Sequence, residues 1–294
     1  MSRQTSKQKS TGSHYTPIRL ASFVAHRILA STPQLKTPKE PFTVLDPACG
    51  EGDLLLAFVE ALPIEARPWI NLIGIDEDRQ AFDRARSRLA NSGVNKIDLR
   101  RQDFLEYFET SEKSGRITIN EDISADVVIA NPPYVRTQVL GAEKAQSLGR
   151  QFGLKGRVDL YHAFLIAMTH TLKSDGVLGV IMSNRFLFTK GGESLRGFLS
   201  RCYEISEVID LGDTKLFGAA VLPAIFVGSR KRHEALFVEE QIARFTKIYE
   251  VQANKDSGFI SADSIYEALE QEQTGSFRID QRHFSVSIGD LHIP

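Results

Sequence analysis

Thr43-Val44-Leu45-Asp46-Pro47-Ala48-Cys49-Gly50-Glu51-Gly52-Asp53-Leu54-Leu55-Leu56-Ala57-Phe58-Val59 reads as a short buried strand, a glycine loop and an apolar helix in immediate succession. Glycines at 50 and 52 allow positive φ and close approach of a ligand to the backbone, whether or not that ligand carries phosphate. Asn71-Leu72-Ile73-Gly74-Ile75-Asp76 follows as a second apolar strand ending in a carboxylate, and residues 97 to 102 form a third that runs into Asp103-Phe104. Asp76 is placed to accept two hydrogen bonds from a ribose diol, and Asp103 to accept from an adenine amino group beside an aromatic wall. Singly, each aspartate also suits a helix N-cap or a turn. Three acids closing three successive strands fit better the carboxyl edge of an open α/β sheet, where ligands bind.

A fourth apolar run, Ala125-Asp126-Val127-Val128-Ile129-Ala130, opens into Asn131-Pro132-Pro133-Tyr134. An aromatic amine is a poor nucleophile because its lone pair is delocalised into the ring, so a catalyst must hold it with acceptors that disfavour planarity. Asn131 supplies a side-chain carbonyl and Pro132 a backbone carbonyl, and two prolines fix an extended path that sets these acceptors in place beforehand. Tyr134 offers a flat face on which a base can stack. The plainer alternative is a strand ending in a proline-rich turn.

Leu45 to Gly52, Asp76, Asp103-Phe104 and Asn131 to Tyr134 together resemble the motif series of the S-adenosylmethionine-dependent DNA adenine methyltransferases, and His14-Tyr15-Thr16-Pro17 resembles the amino-terminal cofactor motif of their gamma class. The likeness continues through Asp159-Leu160-Tyr161-His162-Ala163-Phe164, residues 177 to 184 and residues 217 to 227, covering about residues 14 to 228. It implies a Rossmann-like class I methyltransferase domain and N6 methylation of a flipped-out adenine in duplex DNA, in restriction-modification or phage defence. Tyr15, Thr16 and Pro17 would contact the methionine portion of S-adenosylmethionine, with Asp46, Ala48, Cys49, Gly50 and Gly52 around it. Asp76 would bind the ribose, Asp103 and Phe104 the cofactor adenine, and Phe217 would stack on the target base opposite Tyr134. Family members often carry a small residue where this chain has Glu51, whose carboxylate faces either solvent or the cofactor ammonium. Flipping costs a few kcal/mol, offset by about 1–3 kcal/mol for each base–aromatic contact. Since the tetrapeptide suits any planar nitrogen, RNA adenine and a protein glutamine amide are the competing substrates. A methylase subunit that works with a separate specificity or restriction chain is the remaining alternative.

Composition sets bounds. With 294 residues, 42% hydrophobic and 25% charged, the chain suits one sizeable globular unit. The absence of a long apolar run or secretion signal predicts a cytoplasmic protein. Cys49 and Cys202 are its two cysteines, so neither a disulfide scaffold nor a zinc site is expected, and no metal. Net charge is −1, which argues against a wholly basic nucleic-acid binder. Arg136, Lys144, Arg150, Lys155 and Arg157 nevertheless follow the tetrapeptide directly, where phosphates flanking a flipped base must pass. Such clusters are also common as solvated surface.

Alternating strands and helices predict a seven-stranded, mostly parallel sheet with one antiparallel strand and helices on both faces. Thr16 is read as an N-cap with Pro17 in the first turn, and Ala21, Val24, Ala25 and Ile28 give that helix an apolar stripe. Residues 205 to 211 and 221 to 227 are spaced to pair as a hairpin. The domain reading is a basic tail over 1–13, a catalytic domain over 14–230 and an extension over 231–294. That extension is the truncated start of a target-recognition region, a minimal recognition element, or a sign that another polypeptide supplies recognition.

Overall fold

The computed structural model describes residues 16–110, 117–119, 123–134, 141–152, 160–216, 222–233, 241–252 and 258–293. The chain divides into two compact units, residues 1–180 and 181–294.

The first unit holds α1 (Ile18–Ser31), β1 (Phe42–Asp46), α2 (Asp53–Ala61), β2 (Ile70–Ile75), α3 (Arg79–Leu89), β3 (Lys96–Arg100), β4 (Phe108–Thr110), β5 (Ile117–Ile119), β6 (Ala125–Ala130), α4 (Ala142–Gln151), α5 (Leu160–Thr171) and most of β7 (Leu172–Ser183). Its sheet runs β3-β2-β1-β6-β7, and every pair in it is parallel. The chain winds outward from β1 to β3 and then returns to place β6 on the other side of β1. A topological switch point therefore lies between β1 and β6, where doubly wound sheets open a crevice at their carboxyl ends. Asp126 fixes that pairing, since its carboxylate accepts from the Thr43 N–H at 2.8 Å and from the Lys173 ammonium at 2.8 Å. The predicted stripe of α1 is wholly buried, and a Cβ on Gly179 of β7 would collide with Ile28, so glycine sets how closely helix and strand approach. Strands β4 and β5 pair antiparallel with each other, apart from that sheet.

The second unit holds the end of β7, α6 (Arg185–Phe188), α7 (Glu193–Cys202), β8 (Tyr203–Asp210), β9 (Pro223–Arg230), β10 (Gln241–Glu250), β11 (Ile260–Ser261), α8 (Ile265–Glu270), β12 (Gly275–Ile279) and β13 (Arg282–Ile293). Strands β8 and β9 form the expected antiparallel hairpin. Beyond it β10 lies parallel to β8, β13 antiparallel to β10, β12 antiparallel to β13, and β11 parallel to β12. Among the described residues eleven sheet strands thus stand where the sequence reading expects seven, and antiparallel pairing is not confined to one strand. The surplus comes from residues after 240, whose mixed polar and apolar order hides strands such as β10, which buries three of its ten residues. Asp210, fully buried at the end of β8, accepts from Asn184 Nδ2 at 3.0 Å, from the Gly212 N–H at 3.0 Å and from the Tyr249 hydroxyl of β10.

Candidate active site

Asp46 closes β1 with 1% of its surface exposed. One carboxylate oxygen accepts from the Ala48 N–H at 3.1 Å, while Oδ2 is buried with no hydrogen-bond partner. Burial pushes the carboxyl up to about 8 against the Ala48 bond, with the charges of Asp76 and Asp53 adding to the rise. An unsatisfied buried acceptor is costly, so a ligand bringing a cationic N–H donor fits this position, as the ammonium of S-adenosylmethionine would.

The loop is sewn to the neighbouring strand. The Cys49 N–H donates to the Ile75 carbonyl at 2.9 Å, and the Gly50 N–H to Asp76 at 2.8 Å. The other Asp76 oxygen accepts from the Asp78 N–H at 2.8 Å. Each oxygen keeps a second lone pair for a diol, and burial raises the carboxyl above its ordinary range. The two glycines do different work. Gly50 has φ +52° and open space where a Cβ would point, which suits an approaching ligand. Gly52 has φ +81° and faces Ala85 and Leu89 of α3, each 3.4 Å from a Cβ position, so a side chain here would crowd that helix. Cys49 is 5% exposed and burial pushes its thiol far up, leaving it inert. Glu51 pairs with Arg84, and Arg88 ties down both the Glu51 carbonyl at 2.9 Å and Asp53 at 2.6 Å.

Asn131 leaves the end of β6 held on two sides. Its Nδ2 donates to the Thr16 hydroxyl at 3.1 Å, and its Oδ1 accepts from the Tyr134 hydroxyl at 2.7 Å. Burial, with Tyr161 beside it, raises the Tyr134 phenol well above its ordinary range, so it stays protonated and donates. Tyr161 meets the Tyr134 ring edge-on at 6.4 Å and the His162 ring edge-on at 4.5 Å, and burial pushes that imidazole down to about 4 and so keeps it neutral. Pro132 is buried and Pro133 half-buried.

Two expectations change here. Helix α1 has Pro17 at its N-cap position with no side-chain cap, so Thr16 is not the cap. Its hydroxyl faces Asn131 instead, which the helix-start pattern could not reveal. Phe104 is 1% exposed, packed 5.3 Å from Phe108 and 5.7 Å from Phe164, so it is a core ring rather than an open wall. Asp103 caps the turn Phe104–Tyr107 through the Leu105 N–H at 3.0 Å. Tyr161, which the sequence offers only as part of the stretch 159–164, lies against the Tyr134 ring, and nothing in its spacing distinguishes it from core. Tyr15, Arg136, Lys155, Arg157 and Phe217 lie outside the described residues. Lys144 and Arg150 fall on α4, Arg150 exposed. Among the described residues no group of three or more His, Cys, Asp or Glu could hold a metal ion, and no helix is long and apolar enough to cross a membrane.

The family described as Eco57I restriction-modification methylase matches residues 69–217, just over half of the chain. Type II methyltransferase M.BanIII of Aneurinibacillus aneurinilyticus is 44% identical over an alignment of 295 positions that covers 98% of this chain and 50% of the relative. Type II methyltransferase M.BstVI of Geobacillus stearothermophilus is 29% identical over an alignment of 222 positions that covers 66% of this chain and 38% of the relative. The chain therefore spans half or less of the length of these relatives. The methyltransferase subunit of a type I restriction-modification system from Streptococcus thermophilus shares the fold, with a TM-score of 0.59 at 21% identity over 79% of this chain and 46% of that one. On the family match, the chain belongs to the Eco57I restriction-modification methylases.

Proposed function

We propose that this chain carries the catalytic machinery of a site-specific DNA methyltransferase that transfers a methyl group from S-adenosylmethionine to the N6 amine of a flipped-out adenine, in the cytoplasm, as part of restriction-modification or phage defence. The observation that carries the reading is Asn131, its amide hydrogen-bonded on both sides at the end of β6, beside the buried unsatisfied Asp46 at the end of β1. Two acceptors, the Asn131 side-chain oxygen and the Pro132 carbonyl, are suited to the two N–H bonds of an exocyclic amine. Held there, the amine loses conjugation with its ring and becomes more nucleophilic, and positioning supplies most of the rate. Tyr134, with Phe217 as its counterpart, would stack on the extruded base.

S-adenosylmethionine, when bound, supplies an electrophilic methyl group. Asp46 would hold its ammonium, the Ala48 to Gly52 turn its backbone, Asp76 its ribose and Asp103 its adenine, with Tyr15 and Pro17 closing the methionine side and Thr16, between them, turned to Asn131. The cations Arg136, Lys144, Arg150, Lys155 and Arg157 would follow the flanking phosphates. Residues 14–230 would be the catalytic domain, preceded by a basic tail. Recognition of the target sequence would come from residues after 230, from a longer chain of which this is part, or from a separate specificity subunit. Nucleoside mass spectrometry after incubation with labelled S-adenosylmethionine tests this. Label in N6-methyldeoxyadenosine of mixed-sequence duplex DNA is expected, whereas label confined to RNA or to a glutamine-containing protein would overturn the DNA assignment.

A further inference from the structure

A primary amide can face a ligand in two ways, offering either its carbonyl oxygen or its NH2, and only the first serves a substrate that arrives with N–H donors. The geometry around Asn131 selects one of them. The atom facing Tyr134 lies 2.7 Å from the phenol oxygen, the usual O–H···O separation, and the atom facing Thr16 lies 3.1 Å from that hydroxyl, within the N–H···O range. These two contacts differ in what happens when a substrate enters. Tyr134 donates to the same oxygen that an incoming amine would use, and so shares its two lone pairs with the substrate. Thr16 holds the nitrogen, on the far side of the amide, and can stay in place throughout.

Thr16 is also built for this task. It is 9% exposed, so little water reaches its hydroxyl. It gives α1 no side-chain cap, although it sits beside the helix start where threonine usually serves that purpose. Helix α1 is itself seated firmly, with Leu20, Ala21, Val24, Ala25 and Ile28 fully buried. The hydroxyl is therefore presented to Asn131 from a fixed platform, 115 residues away in sequence.

We propose that Thr16 is a positioning residue for the transfer reaction, holding the Asn131 amide so that its carbonyl oxygen faces the target and the site accepts an amine rather than a carbonyl. This rests on the reading of Asn131 as the amine's acceptor. Thr16→Val keeps the side chain's shape and removes the hydroxyl, and Thr16→Ser keeps the hydroxyl. Single-turnover methylation of mixed-sequence duplex DNA, expressed per cofactor-binding site so that any unfolded fraction drops out, is the measurement. Thr16→Val should lower the rate by about tenfold, the scale of one net hydrogen bond, with cofactor Kd and the KM for DNA within about twofold, and Thr16→Ser should restore it.

An unchanged rate in Thr16→Val would overturn the inference. So would a loss matched by an equal loss of cofactor affinity, because Thr16 would then be acting on the cofactor. If Thr16→Val does not fold, Thr16→Ala is judged by the same criteria. A wild-type protein that binds cofactor yet methylates no adenine would instead overturn the reading of the site, and this inference with it.

Discussion

Below pH 7, each unit of acidification is expected to weaken S-adenosylmethionine binding about tenfold, because Asp46 must ionise before it can receive the cofactor's ammonium. The perturbed carboxyl sits at about 8 in the ligand-free protein, so roughly nine-tenths of molecules carry that proton at pH 7. A cation placed against the unsatisfied Oδ2 returns the group toward its ordinary range, and binding at pH 7 should release about 0.9 proton. The cofactor's own amine, with an ordinary pKa of about 8, remains charged over this range. Isothermal titration calorimetry in buffers of different ionisation enthalpy reads the proton number directly. Asp46→Asn should release none, lose the pH dependence, and bind at least about tenfold more weakly through the missing charge-assisted bond. Stability carries the opposite signature. The folded carboxyl is raised above its unfolded value of 3.8, so its contribution is fully present below about pH 4 and is lost as pH rises through about 8. The ligand-free wild type should therefore lose thermal midpoint relative to Asp46→Asn between pH 5 and 8.5. A wild-type protein that releases no proton on binding, or an Asp46→Asn variant that releases as many, would refute the assignment of Asp46 to the ammonium.

Asn131→Ala should reduce methyl transfer by at least about a hundredfold while cofactor Kd, measured by calorimetry, stays within a few fold; near-normal turnover would remove Asn131 from the mechanism. Gly52→Ala should cost about 1–2 kcal/mol in denaturant unfolding from its φ of +81°, plus crowding against Ala85 and Leu89. Gly50→Ala meets open space and should show its further loss in cofactor affinity instead, so equal effects of the two on binding would contradict the division of roles. Glu51→Gln breaks a largely exposed pair with Arg84 and should cost at most about 1 kcal/mol. A large loss of cofactor affinity in that variant would mean the carboxylate serves the ligand after all.

Those parts of the fold with strong local patterns were legible in the sequence. Strand β1, the loop at 47–52 and α2 follow from an apolar run, two glycines and a second apolar run, and α2 starts at Asp53, where that second run opens. Strand β10 was not legible, because Gln241-Ile242-Ala243-Arg244-Phe245-Thr246-Lys247-Ile248-Tyr249-Glu250 mixes charges with apolar residues and its place is set by partners in β8 and β13. The aspartates at the strand ends could be read as acceptors, but not their differences. Only the fold shows that Asp46 is left with an unpaired oxygen, while both oxygens of Asp76 already hold backbone N–H groups. The Thr16 to Asn131 bond leaves no local trace at all, and an N-cap pattern at the same residue points elsewhere.

The seam between β8 and β10 has a practical bearing on how this protein can be cut. Removing the residues after 240 would strip β8 of its parallel neighbour and leave a bare edge rich in unpaired amides, a template for self-association. It would also withdraw the Tyr249 hydroxyl from a fully buried Asp210. A fragment trimmed at the end of β9 should therefore precipitate or form ladders of oligomers. Limited proteolysis should nick the chain elsewhere before it frees β10, whose backbone is paired on both sides.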